Sequence, residues 1–271
     1  MRFSSTPANM FNSLIKNRRL IYSLGSREVL GRYRGSMLGI LWSLVNPIFM
    51  LTVYTFVFSV VFKARWNYGS DSKAEFALLL FSGLIIFNLF SECINRSPNL
   101  ILSHSNYVKK MIFPLETLPW VVMISALFHA AISVGVWIIA YTLLIGVPSI
   151  KIIYLPLIFL PLMLLTIGLS WFLSSLGVYL RDVSQFVGVL TTMLLFMSPI
   201  FYPLSALPEK YHIYLLMNPL TAIVEQARDV MYWGKSPNWD LLAPYYIASG
   251  LIAWLGYAWF QKTRKGFADV L

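Results

Sequence analysis

Charge is what this 271-residue chain has least of. Asp, Glu, Lys and Arg together make up 12% of it, about half the share of about 25% usual in soluble proteins. Hydrophobic residues reach 58%, more apolar surface than a soluble core can hide. A disordered chain, a fibre and an ordinary cytosolic enzyme are excluded on that ground. The one cysteine, Cys93, excludes an internal disulfide framework and a zinc site of clustered thiolates. His104, His129 and His212 stand apart, with no HExxH pairing. No DxD pair is present to hold a metal-bound nucleotide sugar. Gly234-Lys235-Ser236 imitates the end of a phosphate-binding loop, but Asp229 occupies the place of the required partner glycine. The reading is therefore of a chain that is not an enzyme, with no catalytic residue, metal site or cofactor of its own. His129, inside an apolar run, reads as a hydrogen-bonded packing histidine.

What the chain does have is long uncharged runs between clusters of charge. Gly35–Phe62, Phe76–Ser91, Thr117–Ile150, Ile152–Leu180, Val183–Pro208 and Leu241–Gln261 carry no Asp, Glu, Lys or Arg. Five of them reach the roughly 20 residues that a membrane helix needs. The second, shorter run gains Ala74 and Cys93–Ile94 around Glu92. The expectation is an all-α polytopic membrane protein of one domain, residues 1–271. Its six spans fall at about 37–62, 74–94, 117–146, 152–178, 183–200 and 241–261. The run Tyr211–Val224 contains Pro219 and suits a re-entrant helix better than a span.

Six spans put both termini on one side, and that side collects 14 of the 21 Lys and Arg residues. This bias predicts cytoplasmic termini, and it accounts for the net charge of +10 without any nucleic acid. Residues 1–34 form a basic segment with Phe11, Leu14, Ile15, Leu20, Ile21 and Leu24 at helical spacing. Such a segment fits an amphipathic helix lying on the inner leaflet; a collar shaping a lateral entry for lipid is the functional alternative. The interiors of the spans carry no ionisable residue of the kind that ion-coupled transporters use, which disfavours a secondary transporter.

Aromatic residues are the positive signal. Trp42, Phe49 and Phe56 recur every seven residues on the first span, and Tyr54, Phe58 and Phe62 every four. Either set forms a stripe. Packing or lipid contact is the plain account of such a stripe; the functional one is a pore wall on which sugar rings slide. Asn46-Pro47, Pro156 and Pro161 interrupt spans. The fifth span ends in Ser198-Pro199-Ile200-Phe201-Tyr202-Pro203, followed by Asn218-Pro219, as in two short helices that dip back into the membrane and cover or line a wet cavity.

In order along the chain, RYRGSMLGILWSLVNPIFM (Arg32–Met50), Asn106-Tyr107-Val108-Lys109-Lys110 with Phe113-Pro114-Leu115-Glu116, Arg181-Asp182-Val183, and Asn218-Pro219-Leu220-Thr221 through Glu225 and Arg228 resemble the permease subunits of ABC-2 type polysaccharide exporters. The O-antigen branch resembles it most, given the RYRGS opening and the short loop 63–75. The resemblance implies a homodimer in the bacterial inner membrane, paired with two copies of a separate ABC ATPase that binds the ATP and Mg. The cargo would be an undecaprenyl-pyrophosphate-linked polysaccharide. It further implies a coupling helix at about 97–110 for the ATPase (Leu100, Asn106, Val108, Lys109, Lys110). Outer gate helices follow at about 199–228 (Pro199, Tyr202, Pro203, Asn218, Pro219, Glu225, Arg228). Aromatic channel walls in the family favour Trp42, Phe49 and Phe56 as lining. Arg32, Tyr33 and Arg34 sit where the lipid pyrophosphate would arrive, because guanidinium forks match phosphate oxygens; plain anchoring by positive charge is the other account of these arginines. Alternatives are a capsule or teichoic-acid permease of the same class, or a polytopic glycosyl- or acyltransferase that uses the same lipid carrier.

Overall fold

The computed structural model describes residues 5–57, 66, 73–109 and 113–271. Thirteen α-helices and no strand occur among them. Two amino-terminal helices, α1 (Pro7–Lys16) and α2 (Arg18–Tyr33), replace the single interfacial helix expected from sequence. Asn17 separates them, and its side-chain amide donates back to the Ser13 carbonyl at 2.9 Å. An Asn side chain that bonds locally to the backbone favours a break over a helix interior.

Gly35 and Gly39 then take φ of 87° and 53°, a left-handed conformation that only glycine adopts without strain. The RYRGSMLG segment is thus the turn that lifts the chain from α2 into the first span, α3 (Trp42–Tyr54). The helices α4 (Lys73–Arg96), α7 (Leu118–Leu144), α8 (Leu155–Tyr179) and α12 (Trp239–Thr263) follow as long apolar rods. Among the described residues five segments are long and apolar enough to cross a membrane: Gly39–Val57, Ala74–Arg96, Leu115–Leu144, Ile150–Tyr179 and Trp239–Val270. The sixth apolar helix, α9 (Val183–Met197), has 15 residues. At 1.5 Å per residue it is about 22 Å long, short of a bilayer core of about 30 Å. Ser198-Pro199 ends it, because the residue before proline is pushed out of helical geometry. Ser198 sits at ψ 147°.

The core is organised around α4, 83% of whose apolar window is buried. It packs on α7, α8, α9 and α11 (Pro219–Met231). The Trp137 indole of α7 donates to the Leu78 carbonyl of α4 at 2.9 Å. Helices α8 and α12 make the most extensive contact, at a crossing of two glycines. A Cβ on Gly256 would lie 2.0 Å from the Gly168 carbonyl oxygen, so only glycine permits this approach. Small residues at such crossings are how membrane helices gain packing without a hydrophobic drive. The first span is the exception to the packing: 6% of its window is buried.

One end of the bundle, called basal here, carries α1, α2, the short helices α5 (Leu100–Ser103) and α6 (Ser105–Lys109), and the carboxy-terminal α13 (Phe267–Val270). The opposite, distal end carries the 198–217 segment with α10 (His212–Met217).

Candidate functional site

A cavity of about 590 Å³ opens between α2, α3, α4 and α7. Each helix brings a polar stripe to it. On α4, Asn88, Ser91, Glu92, Asn95 and Arg96 fall at intervals of three, four, seven and eight residues from Asn88, one face of a helix. On α3 the stripe is Ser43 and Asn46; on α7 it is His129 and Ser133. Arg32 and Tyr33 close the cavity from the end of α2.

Glu92 is the centre of this wall. Its Oε1 accepts from Arg32 Nη2 at 2.6 Å and lies 3.7 Å from Arg96 Nη1. Its Oε2 is 3.1 Å from His129 Nδ1. The Tyr33 hydroxyl meets the other ring nitrogen, Nε2, at 2.9 Å. Arg32 Nη1 also lies 3.1 Å from Nδ1, so that ring nitrogen faces a guanidinium donor and a carboxylate acceptor together. Burial raises the Tyr33 phenol above its ordinary pKa, against the pull of Arg32, so the hydroxyl stays protonated. Arg96 Nη2 pairs with Glu28 of α2, while its buried Nη1 has no hydrogen-bond partner. Arg34 is exposed at the helix end and is not among the cavity walls.

His129 is hydrogen-bonded, as its place in an apolar run suggested, and Glu92, Arg96 and Glu28 gather beside Arg32 and Tyr33, a grouping that sequence reasoning did not reach. The signal available was the polar stripe on the second apolar run, obscured because Glu92 was read only as an interruption of that run.

The aromatic stripes of the first span point different ways. Trp42, Phe49 and Phe56 are 37%, 62% and 58% exposed on the single chain. Tyr54 turns inward, its ring 6.3 Å from that of Phe201. Phe58 and Phe62 lie outside the described residues.

At the distal end Arg228 is fully buried on α11. Its guanidinium donates to the carbonyls of Leu79 (3.0 Å), Ile200 (2.8 Å) and Pro199, and to Glu225 Oε1 at 2.9 Å. It also stacks 4.2 Å over the Trp66 ring. Asn218 caps α11 by accepting from Leu220 N at 3.0 Å and donates to Ser198 Oγ at 2.9 Å. Pro219 fills the first helical turn, where no backbone N–H is needed. The Tyr202 hydroxyl donates to the Phe196 carbonyl at 3.1 Å, and Pro203 leads into a short 3-10 turn. Pro199, Tyr202, Pro203, Asn218, Pro219, Glu225 and Arg228 are thus gathered into one folded cap. The Gly234-Lys235-Ser236 loop is a turn, with φ of 59° at Gly234 and Lys235 paired to Asp229 at 3.1 Å.

At the basal end Leu100 and Val108 are buried in the chain and Asn106 is exposed. The 97–110 segment is two short helices broken at His104, whose ring bonds the Leu100 carbonyl at 2.8 Å. Lys109 ends α6, and Lys110 lies outside the described residues. Glu116, in the turn that follows, accepts from Arg264 at 2.6 Å and from Ser13 at 3.1 Å. Among the described residues no three His, Cys, Asp or Glu side chains converge as metal ligands.

The profile of the ABC-2 type transporter family matches residues 19–232. The chain belongs to the ABC-2 type transporter family. It is 26% identical over 262 residues to the O-antigen export system permease protein RfbA of Myxococcus xanthus, covering 96% of this chain and 98% of that protein. It is also 26% identical to the RfbA protein of the same description from Klebsiella pneumoniae, over 93% of this chain and 95% of that one. As an ABC-2 protein the chain is a membrane subunit of a transporter that works with an ABC ATPase.

Proposed function

We propose that this chain is the permease of an ABC exporter that moves an O-antigen-type polysaccharide, carried on undecaprenyl pyrophosphate, out of the cytoplasm across the bacterial inner membrane. The observation that carries this reading is the near end-to-end similarity to O-antigen export permeases. The bare first span fits it. An aromatic face exposed on one chain wants a covering, and a second copy would turn two such faces toward a shared conduit. In this reading both termini are cytoplasmic, α9 with its proline turn makes the fifth span, and the Arg228 cap is a re-entrant outer gate. The exposed flank of α5 and α6 around Asn106 meets the ATPase. The lipid pyrophosphate arrives at Arg32 and Tyr33, with Arg34 as an outer contact.

The test is loss of the gene in a strain that makes the polymer. Export predicts that lipid-linked polysaccharide accumulates inside the cell while surface O-antigen disappears, and that Arg32→Lys with Arg34→Lys fails to restore export at normal protein level. Absence of the polymer inside would instead indicate a transferase. Intact surface O-antigen with a missing capsule or teichoic acid would move the cargo to another member of the class.

A further inference from the structure

Resting on the export reading, we propose that the cavity between α2, α3, α4 and α7 seats the diphosphate head of the lipid-linked sugar together with its first sugar ring. In this site Glu92 is a built-in anion that holds the place until the diphosphate displaces it.

The contacts of Glu92 are those a phosphate group would make. One oxygen takes the Arg32 guanidinium at 2.6 Å and the other faces His129 at 3.1 Å. Arg96 stands 3.7 Å away with a buried Nη1 that has no hydrogen-bond partner. A carboxylate is too small to serve both guanidinium groups. A diphosphate spreads its charge over more oxygens and reaches both, in the paired geometry that guanidinium forks favour. The charge arrangement agrees: Arg32 and Arg96 face Glu92 and Glu28, so the site is balanced before any anion enters. Displacing Glu92 frees the Arg32 fork and leaves Arg96 Nη1 open to the incoming anion, while Arg96 Nη2 stays on Glu28. Its return would compete for Arg32 and help the head leave, which an exporter needs and a storage site does not.

The remaining wall has the chemistry of a sugar subsite. Asn46, Asn88 and Asn95 with Ser43, Ser91 and Ser133 offer uncharged donors and acceptors next to the arginines. Asn88 stays exposed on a helix that is otherwise nearly all buried. An amide that lines the cavity at that depth can bond a water or a ligand hydroxyl. The volume of about 590 Å³ falls within the roughly 300–1,000 Å³ of small-molecule sites.

The permease–ATPase complex in lipid nanodiscs tests this with two probes, a polyprenyl diphosphate and the same lipid bearing one sugar; the free polyprenol is the control. Glu92→Gln should tighten binding of both diphosphates about tenfold, the change that one charge-assisted hydrogen bond brings, and should slow their release. Glu92→Asp, which keeps the charge but draws it back from Arg32, should tighten binding to a smaller degree. Asn88→Ala should weaken only the sugar-bearing probe. Wild-type binding that neither Glu92 variant tightens overturns the displaced-anion role while leaving the export reading intact. No binding of either diphosphate by wild type or variants overturns both.

Discussion

Glu116 and Arg264, 148 residues apart, join at 2.6 Å at the basal end of the bundle. The same glutamate holds Ser13 of α1, and its backbone carbonyl takes the Trp171 indole of α8 at 3.0 Å. Arg264 also donates to the Phe113 carbonyl at 2.8 Å. One ion pair therefore ties the amino-terminal helix, the turn after α6 and the end of α12.

Breaking this knot is expected to cost stability. Both side chains are nearly buried, and removing one partner of such a pair costs about 3–5 kcal/mol because the other charge is stranded. Arg264→Ala should lower the thermal unfolding midpoint of the purified protein clearly more than the double variant Glu116→Gln with Arg264→Gln. Equal midpoints for the two would show the pair to be idle.

Arg228 donates to the carbonyls of Pro199 and Ile200, which lie outside any helix, and to that of Leu79 inside α4, which also accepts from Ser82 Oγ at 2.7 Å. Arg228→Leu should leave the Pro199 and Ile200 carbonyls unpaired at about 1–3 kcal/mol each. Arg228→Lys should recover only part, since an ammonium lacks the planar fork. The readout is a cysteine placed at Ile200, which is fully buried. Its labelling by a membrane-impermeant thiol reagent should rise sharply in both variants, most in the leucine one.

The two aromatic stripes of the first span make separable predictions. Phe49→Leu with Phe56→Leu removes π-faces from the exposed side and should cut polysaccharide export several-fold, each ring contact being worth roughly 0.5–1.5 kcal/mol, with protein level and ATPase association unchanged. Tyr54→Leu, on the packed side against Phe201, should instead reduce stability. Unchanged export in the Phe49 and Phe56 variant would leave those rings a packing role.

Much of this was legible along the chain. The scarcity of charge, the lengths of the apolar runs and the proline after Ser198 depend on local composition and backbone sterics, and these locate the long helices and the end of α9 without any knowledge of neighbours. The glycines of the RYRGS turn carry their backbone requirement with them in the same way. Contacts between distant segments are different. Glu92, His129, Arg96 and Glu28 lie on three helices, and nothing in their spacing says that α2, α4 and α7 meet. Whether a polar stripe faces lipid, a neighbour or a cavity depends on the direction each helix presents. Leu100 and Val108 looked like a free greasy face until α7 and α8 closed over α5 and α13 packed on α6. Trp42, Phe49 and Phe56 could be told from Tyr54 only once α3 had a body to lean on. Composition and sterics act within a few residues of sequence, whereas ion pairs and cavities need several helices brought together, which the packing of the whole chain supplies.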